Sequence, residues 1–88
     1  MLTNYDFDFK KSLFKPLYEL KKKVKKNGEL FSKMETEEQN FYLIKHEDVQ
    51  QNLLIQIWAL RDAIKSLGLK EEYENWATEQ LVSEVSSI

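Results

Sequence analysis

VQQNLLIQIWALRDAIKSL, residues Val49 to Leu67, decides how this 88-residue chain is read. Within it Val49, Leu53, Ile57, Leu60, Ile64 and Leu67 recur at steps of three and four, the repeat that gathers side chains on one face of a helix. Leu54, Ile55, Trp58 and Ala63 carry the apolar surface beyond the arc an ordinary surface helix needs. Gly68 follows at once, a residue at ease in the left-handed conformation at which helices end, and Lys65 lies in the last turn, where a cation suits the negative end of the helix dipole. Such a helix belongs at the centre of a bundle.

Upstream, ELFSKMETEEQNFYLIK, Glu29 to Lys45, holds two capping-box spacings, Ser32 with Glu35 and Thr36 with Gln39. The second leads into Phe41, Tyr42, Leu43 and Ile44 and predicts a helix from about Thr36. Two outcomes are open at His46, Glu47 and Asp48: Asp48 caps a new helix, or one helix runs unbroken to Leu67. Before that, Leu13, Leu17, Leu20 and Val24, flanked by Phe14 and Tyr18, mark a first helix, with Asn27-Gly28 as its expected stop. Asp8 or Ser12 is its expected cap, and Ser12 places Pro16 in the first turns, where a missing amide hydrogen costs least. Tyr5 to Phe9, YDFDF, alternates aromatic and acid, so residues 1–11 read as an extended arm. At the other end Leu69, Tyr73, Trp76, Ala77, Leu81, Val85 and Ile88 predict a last helix fraying at Ser86 and Ser87.

Two glycines and one proline leave little punctuation for hairpins. The expected fold is therefore all-α: one domain over residues 1–88, a small bundle of three to four helices with a short N-terminal arm. No repeat, linker or sustained heptad interrupts that reading. A chain of this length buries only about 60% of its unfolded surface, so its stability margin is thin and association would help it. Without cysteine no disulfide or thiolate metal cluster contributes.

Net charge is −2, but it is unevenly spread. Residues 1–28 carry eight lysines against Asp6, Asp8 and Glu19, a balance of +5, whereas residues 29–88 carry five basic side chains against twelve acids, a balance of −7. KKKVKKNG, Lys21 to Gly28, concentrates the positive part. With Val24 turned inward, Lys21, Lys22, Lys25 and Lys26 spread over the wet faces of an ordinary amphipathic helix. Together with Lys10, Lys11 and Lys15 they would also suit an acidic protein surface or phosphates. The segment Lys10–Lys26 has no arginine, the usual bidentate reader of guanine and phosphate, so nucleic acid is the less favoured partner.

The inventory for catalysis is thin. His46 is the only histidine, and His46, Glu47 and Asp48 cannot all face one point on a helix, so a cap or loop is the expected role and no metal ligand is assigned. Glu35, Glu37, Glu38, Glu71, Glu72 and Glu74 lie near predicted helix starts, where acids favour the dipole, and lack the glycine and spacing of a calcium loop. No phosphate-cradling glycine loop or nucleophile motif occurs. No catalytic residue, cofactor or metal is expected. The N-terminal stretch lacks a basic start followed by an apolar run, and the longest uncharged stretch, Val49 to Leu60, is short of the roughly 20 residues a membrane span needs, so a cytoplasmic protein is expected.

What remains is surplus apolar surface. The expected function is a non-enzymatic protein-interaction module, a small adaptor, regulator or inhibitor, that binds a protein partner or a second copy through an apolar and aromatic helix face. Its candidate contacts are Phe7, Phe9, Tyr42, Leu54, Trp58 and Trp76. The alternative is a nucleic-acid-associated factor holding phosphates with Lys21, Lys22, Lys25 and Lys26.

Overall fold

The computed structural model describes residues 5–86 and holds three helices: α1, Phe7–Ser32; α2, Thr36–Ser66; and α3, Lys70–Ser86. The all-α bundle is as the periodicity predicts. The second and third predicted segments are one helix of 31 residues, with Asp48 in its interior rather than at a cap. At about 1.5 Å per residue it is roughly 46 Å long. It folds back along α1 as a helical hairpin, and α3 starts at the open end of that hairpin and runs alongside α1 from Lys10 to Lys22.

Where the helices begin and end departs from the predicted signals. The expected arm is helical from Phe7, leaving only Tyr5 and Asp6 outside α1, while residues 1–4 fall outside the described part. The cap is Asp6, whose Oδ1 accepts from the Phe9 amide at 2.7 Å, and neither Asp8 nor Ser12 fills that place. Consequently Pro16 sits inside α1, on an exposed face where the ring meets solvent. The helix also runs through Asn27-Gly28 to Ser32. An interior glycine costs only about 1 kcal/mol against alanine, and packing on α2 outweighs that. At this level Gln50 of α2 donates from Nε2 to the Val24 carbonyl at 3.1 Å and accepts from Asn27 Nδ2 at 3.5 Å, tying the two helices together.

Neither capping box forms. Ser32 Oγ donates back to the Glu29 carbonyl at 2.8 Å, and α2 starts after Glu35 with no side-chain cap. Gln39 instead reaches across the turn and donates to the Phe31 carbonyl at 3.0 Å, satisfying an acceptor that the end of α1 leaves open. The Gly68 stop is as predicted. Its φ is 72°, and the amides of Gly68 and Leu69 close back on the carbonyls of Lys65 at 3.0 Å and Ile64 at 2.9 Å. Both Leu69 and Ile64 are buried, so the turn is held by packing as well as by hydrogen bonds.

The core is small and lies where all three helices meet: Phe14 and Leu17 from α1, Ile57 and Ile64 from α2, Leu69 in the turn and Tyr73 from α3. Phe14 meets Tyr73 edge-on at 5.5 Å, and Tyr18 meets Trp76 likewise at 5.6 Å. Two ion pairs fasten α3 to α1, Lys10 with Glu72 at 2.6 Å and Lys22 with Glu84 at 2.7 Å. Toward the turn between α1 and α2, the end of α1 and residues 36–50 of α2 form a two-helix stalk. Its inner side is closed by Phe31 stacked flat on His46, centroids 4.1 Å apart.

Candidate functional site

A helix packed in a hairpin has one face against its partner and one against water, and on α2 both are apolar. The inward face carries Leu53, Ile57, Leu60 and Ile64. On the opposite side lie Phe41, Ile44, Ile55 and Trp58, exposed by 80%, 77%, 53% and 53%. No described element covers the first three, while Trp58 also lines a cleft with Leu17 and Lys21 of α1 and Tyr73 of α3. Together with Asp48 and Gln51, also exposed, all four form one row whose steps alternate three and four residues. Aromatic and β-branched side chains at such spacing make one contiguous exposed apolar row.

The candidate contacts fall into two groups. Trp58 stands in the exposed row, and Tyr42 is beside it, meeting Phe41 edge-on at 4.9 Å. Phe7 and Phe9 are exposed on the first turn of α1, with Phe9 stacked on Tyr5 at 5.0 Å. Leu54 and Trp76 are half-buried and packed against the core, Trp76 within 5.8 Å of Phe14, so their surfaces are largely spent inside the protomer. Phe41, Ile44 and Ile55 were not singled out from the sequence. Their alignment with Trp58 follows only once residues 36–66 are taken as a single helix, because a break at Asp48 would give the two halves unrelated faces.

The lysines sit differently. An open groove of about 630 Å³ between α1 and α3 has Lys21, Lys22, Lys25 and Lys26 on one wall and Glu74, Ala77, Leu81 and Glu84 on the other. Lys22 is held protonated above the usual lysine range by its hydrogen bond to Glu84, and the Glu84 carboxyl is lowered by Lys22 and by the Tyr18 hydroxyl, which donates to it at 3.0 Å. Lys21 is lowered, first by partial burial over the Tyr73 ring, 5.2 Å from its centroid, and then by the Arg61 charge. Part of the lysine cluster is therefore engaged by acids and rings of α3.

His46 lies inside the stalk against Phe31. Glu37, Glu38, Glu71 and Glu72 occupy first turns, as their spacing predicts. Among the described residues no three His, Cys, Asp or Glu side chains converge to hold a metal ion, and no helix is long and apolar enough to cross a membrane. Protein-family models, curated proteins and solved structures offer no match to this chain.

Proposed function

We propose that this chain is a non-enzymatic interaction module whose working surface is the outward face of α2. The observation that carries the reading is the row Phe41, Ile44, Ile55 and Trp58, at least half exposed at every position. Burying such side chains supplies free energy at about 25 cal/mol per Å² of apolar surface, and a few aromatic anchors dominate most protein interfaces. The global shape supports it as well. Accessible surface is 7161 Å², whereas a compact monomer of 10.5 kDa exposes about 5,400 Å². The chain carries more surface than a self-sufficient fold of its mass.

Phosphate binding has less support, because Lys22 is paired with Glu84 and Glu74 lines the same groove. The test is the size of the native complex in an extract of the source cells. The wild-type chain is expected to migrate above its protomer mass, and Phe41→Ser with Ile55→Ser to return it to that mass, while replacing Lys21, Lys22, Lys25 and Lys26 by glutamine leaves it unchanged. Wild type and the serine variant running alike as protomers would rule the surface out.

A further inference from the structure

We propose that the occupant of this face is a second copy of the same chain, with the two α2 helices antiparallel about a twofold axis passing between residues 49 and 50. The proposal rests on the reading of α2 as an interaction surface and goes further by naming the partner and the register. Steps of three and four residues give the 3.5-residue period at which two helices keep one seam in contact over several turns. In an isologous dimer each contact occurs twice, so the row must be complementary to itself read backwards. Reversed about that axis, it is. Phe41 falls opposite Trp58 of the other copy, Ile44 opposite Ile55, and Asp48 opposite Gln51.

That middle layer fixes both orientation and register. The Asp48 carboxylate accepts from the Gln51 side-chain amide of the other copy, twice across the axis, so the polar groups of the seam find partners. A parallel pairing in register would set Asp48 against Asp48 in a partly desolvated seam, which like charges oppose. A slip by one heptad would bury Asp48 or Gln51 against an apolar side chain, leaving a polar group unpaired.

Charge at the ends bears on orientation. The first turn of α2 is acidic, with Glu37 and Glu38, and its last turns are basic, with Arg61 and Lys65. Antiparallel packing brings the acidic first turn of each helix to the level of the other copy's Arg61 and Lys65. At the two ends of the row Glu37 falls opposite Asp62 of the other copy, a like-charge layer that the apolar layers and the Asp48–Gln51 layer must outweigh. The two helix dipoles are opposed as well. The four anchors of each copy carry on the order of 100 Å² of exposed surface apiece, so eight bring about 800 Å² before flanking residues are counted. With those flanks the total enters the range of about 1,200 to 2,000 Å² typical of specific interfaces.

Because the chain has no cysteine, introduced thiols read the register directly. Purified full-length chain is expected to show twice the 10.5 kDa protomer mass by sedimentation equilibrium, falling to the protomer on dilution. Ile44→Cys and Ile55→Cys chains, purified apart, mixed and oxidised, are expected to give mainly the mixed disulfide, with little product from either alone. Phe41→Ser with Ile55→Ser should weaken the dimer by about a hundredfold or more while helicity by circular dichroism is retained. A protomer mass at every concentration overturns the proposal, and so does efficient disulfide formation by Ile44→Cys alone, which a parallel seam would give. Should purified chain stay a protomer while the native complex in extract is larger and depends on Phe41, the second copy is refuted and the interaction surface stands. If neither species exceeds the protomer, both fail.

Discussion

The two glycines show how one residue type serves opposite ends. Gly68 is left-handed at φ 72°, a conformation that costs a side chain about 1 to 2 kcal/mol, so Gly68→Ala should lower stability by that amount in chemical denaturation even though open space surrounds its Cβ position. Gly28 is helical, and a Cβ there would rest 4.0 Å from Gln50 Nε2, an ordinary contact. Gly28→Ala should raise stability by up to about 1 kcal/mol in the same measurement. The Lys22–Glu84 pair sets a pH window at the same scale. Because the folded Glu84 carboxyl is lowered, its contribution is present above the ordinary carboxylate range and is lost as pH falls through the lowered value. Lys22 is raised, so its contribution holds below the ordinary lysine range and is lost as pH rises through the raised value. A carboxyl chemical-shift titration should place Glu84 below the usual range in the wild type and move it back toward that range in Lys22→Gln, with the Tyr18 hydroxyl still lowering it.

At the scale of the element, α2 is two environments in one helix. Its C-terminal half packs against both other helices, while its N-terminal half has only the end of α1 behind it, joined by Gln50, Gln39 and the Phe31–His46 stack. Local opening follows local burial. In native-state hydrogen exchange, amides of Leu53 to Ile64 should therefore be protected longest, and those of Phe41 to Val49 should exchange through a lower-energy opening. If α2 is paired in the antiparallel register, protection of the stalk should climb with protein concentration. The sequence marked the end of this helix correctly and left its continuity open, because Asp48 is equally good as a cap and as a solvated interior residue.

For the whole molecule, size and shape set the limits. A radius of gyration of 16.2 Å exceeds the roughly 12 Å of a compact 88-residue domain, and the extents of 56 × 31 × 17 Å describe a flattened rod. Among the described residues only six side chains are buried. Chains of this length are worth about 4 to 13 kcal/mol folded, and so small a core places this one at the low end. Leu17→Ala removes the most completely buried side chain and should cost about 2 to 5 kcal/mol, enough to unfold much of the population at room temperature by circular dichroism. If two copies pair through α2, mass action adds stability, so the wild-type melting temperature should rise with protein concentration, and that of Phe41→Ser with Ile55→Ser should not.

The sequence by itself determined that the chain is helical, that Val49 to Leu67 lies at its centre and that Gly68 ends that helix. These follow from periodicity and from backbone sterics, which act over a few residues. It also signalled an excess of apolar surface without locating it. Only the tertiary structure decided that α1 passes through Gly28, that Asp48 interrupts nothing and that Leu54 and Trp76 are spent on the core while Phe41, Ile44, Ile55 and Trp58 are left outside. Those outcomes depend on which face of each helix meets its neighbour, and packing between distant segments outweighs local preferences worth about 1 kcal/mol.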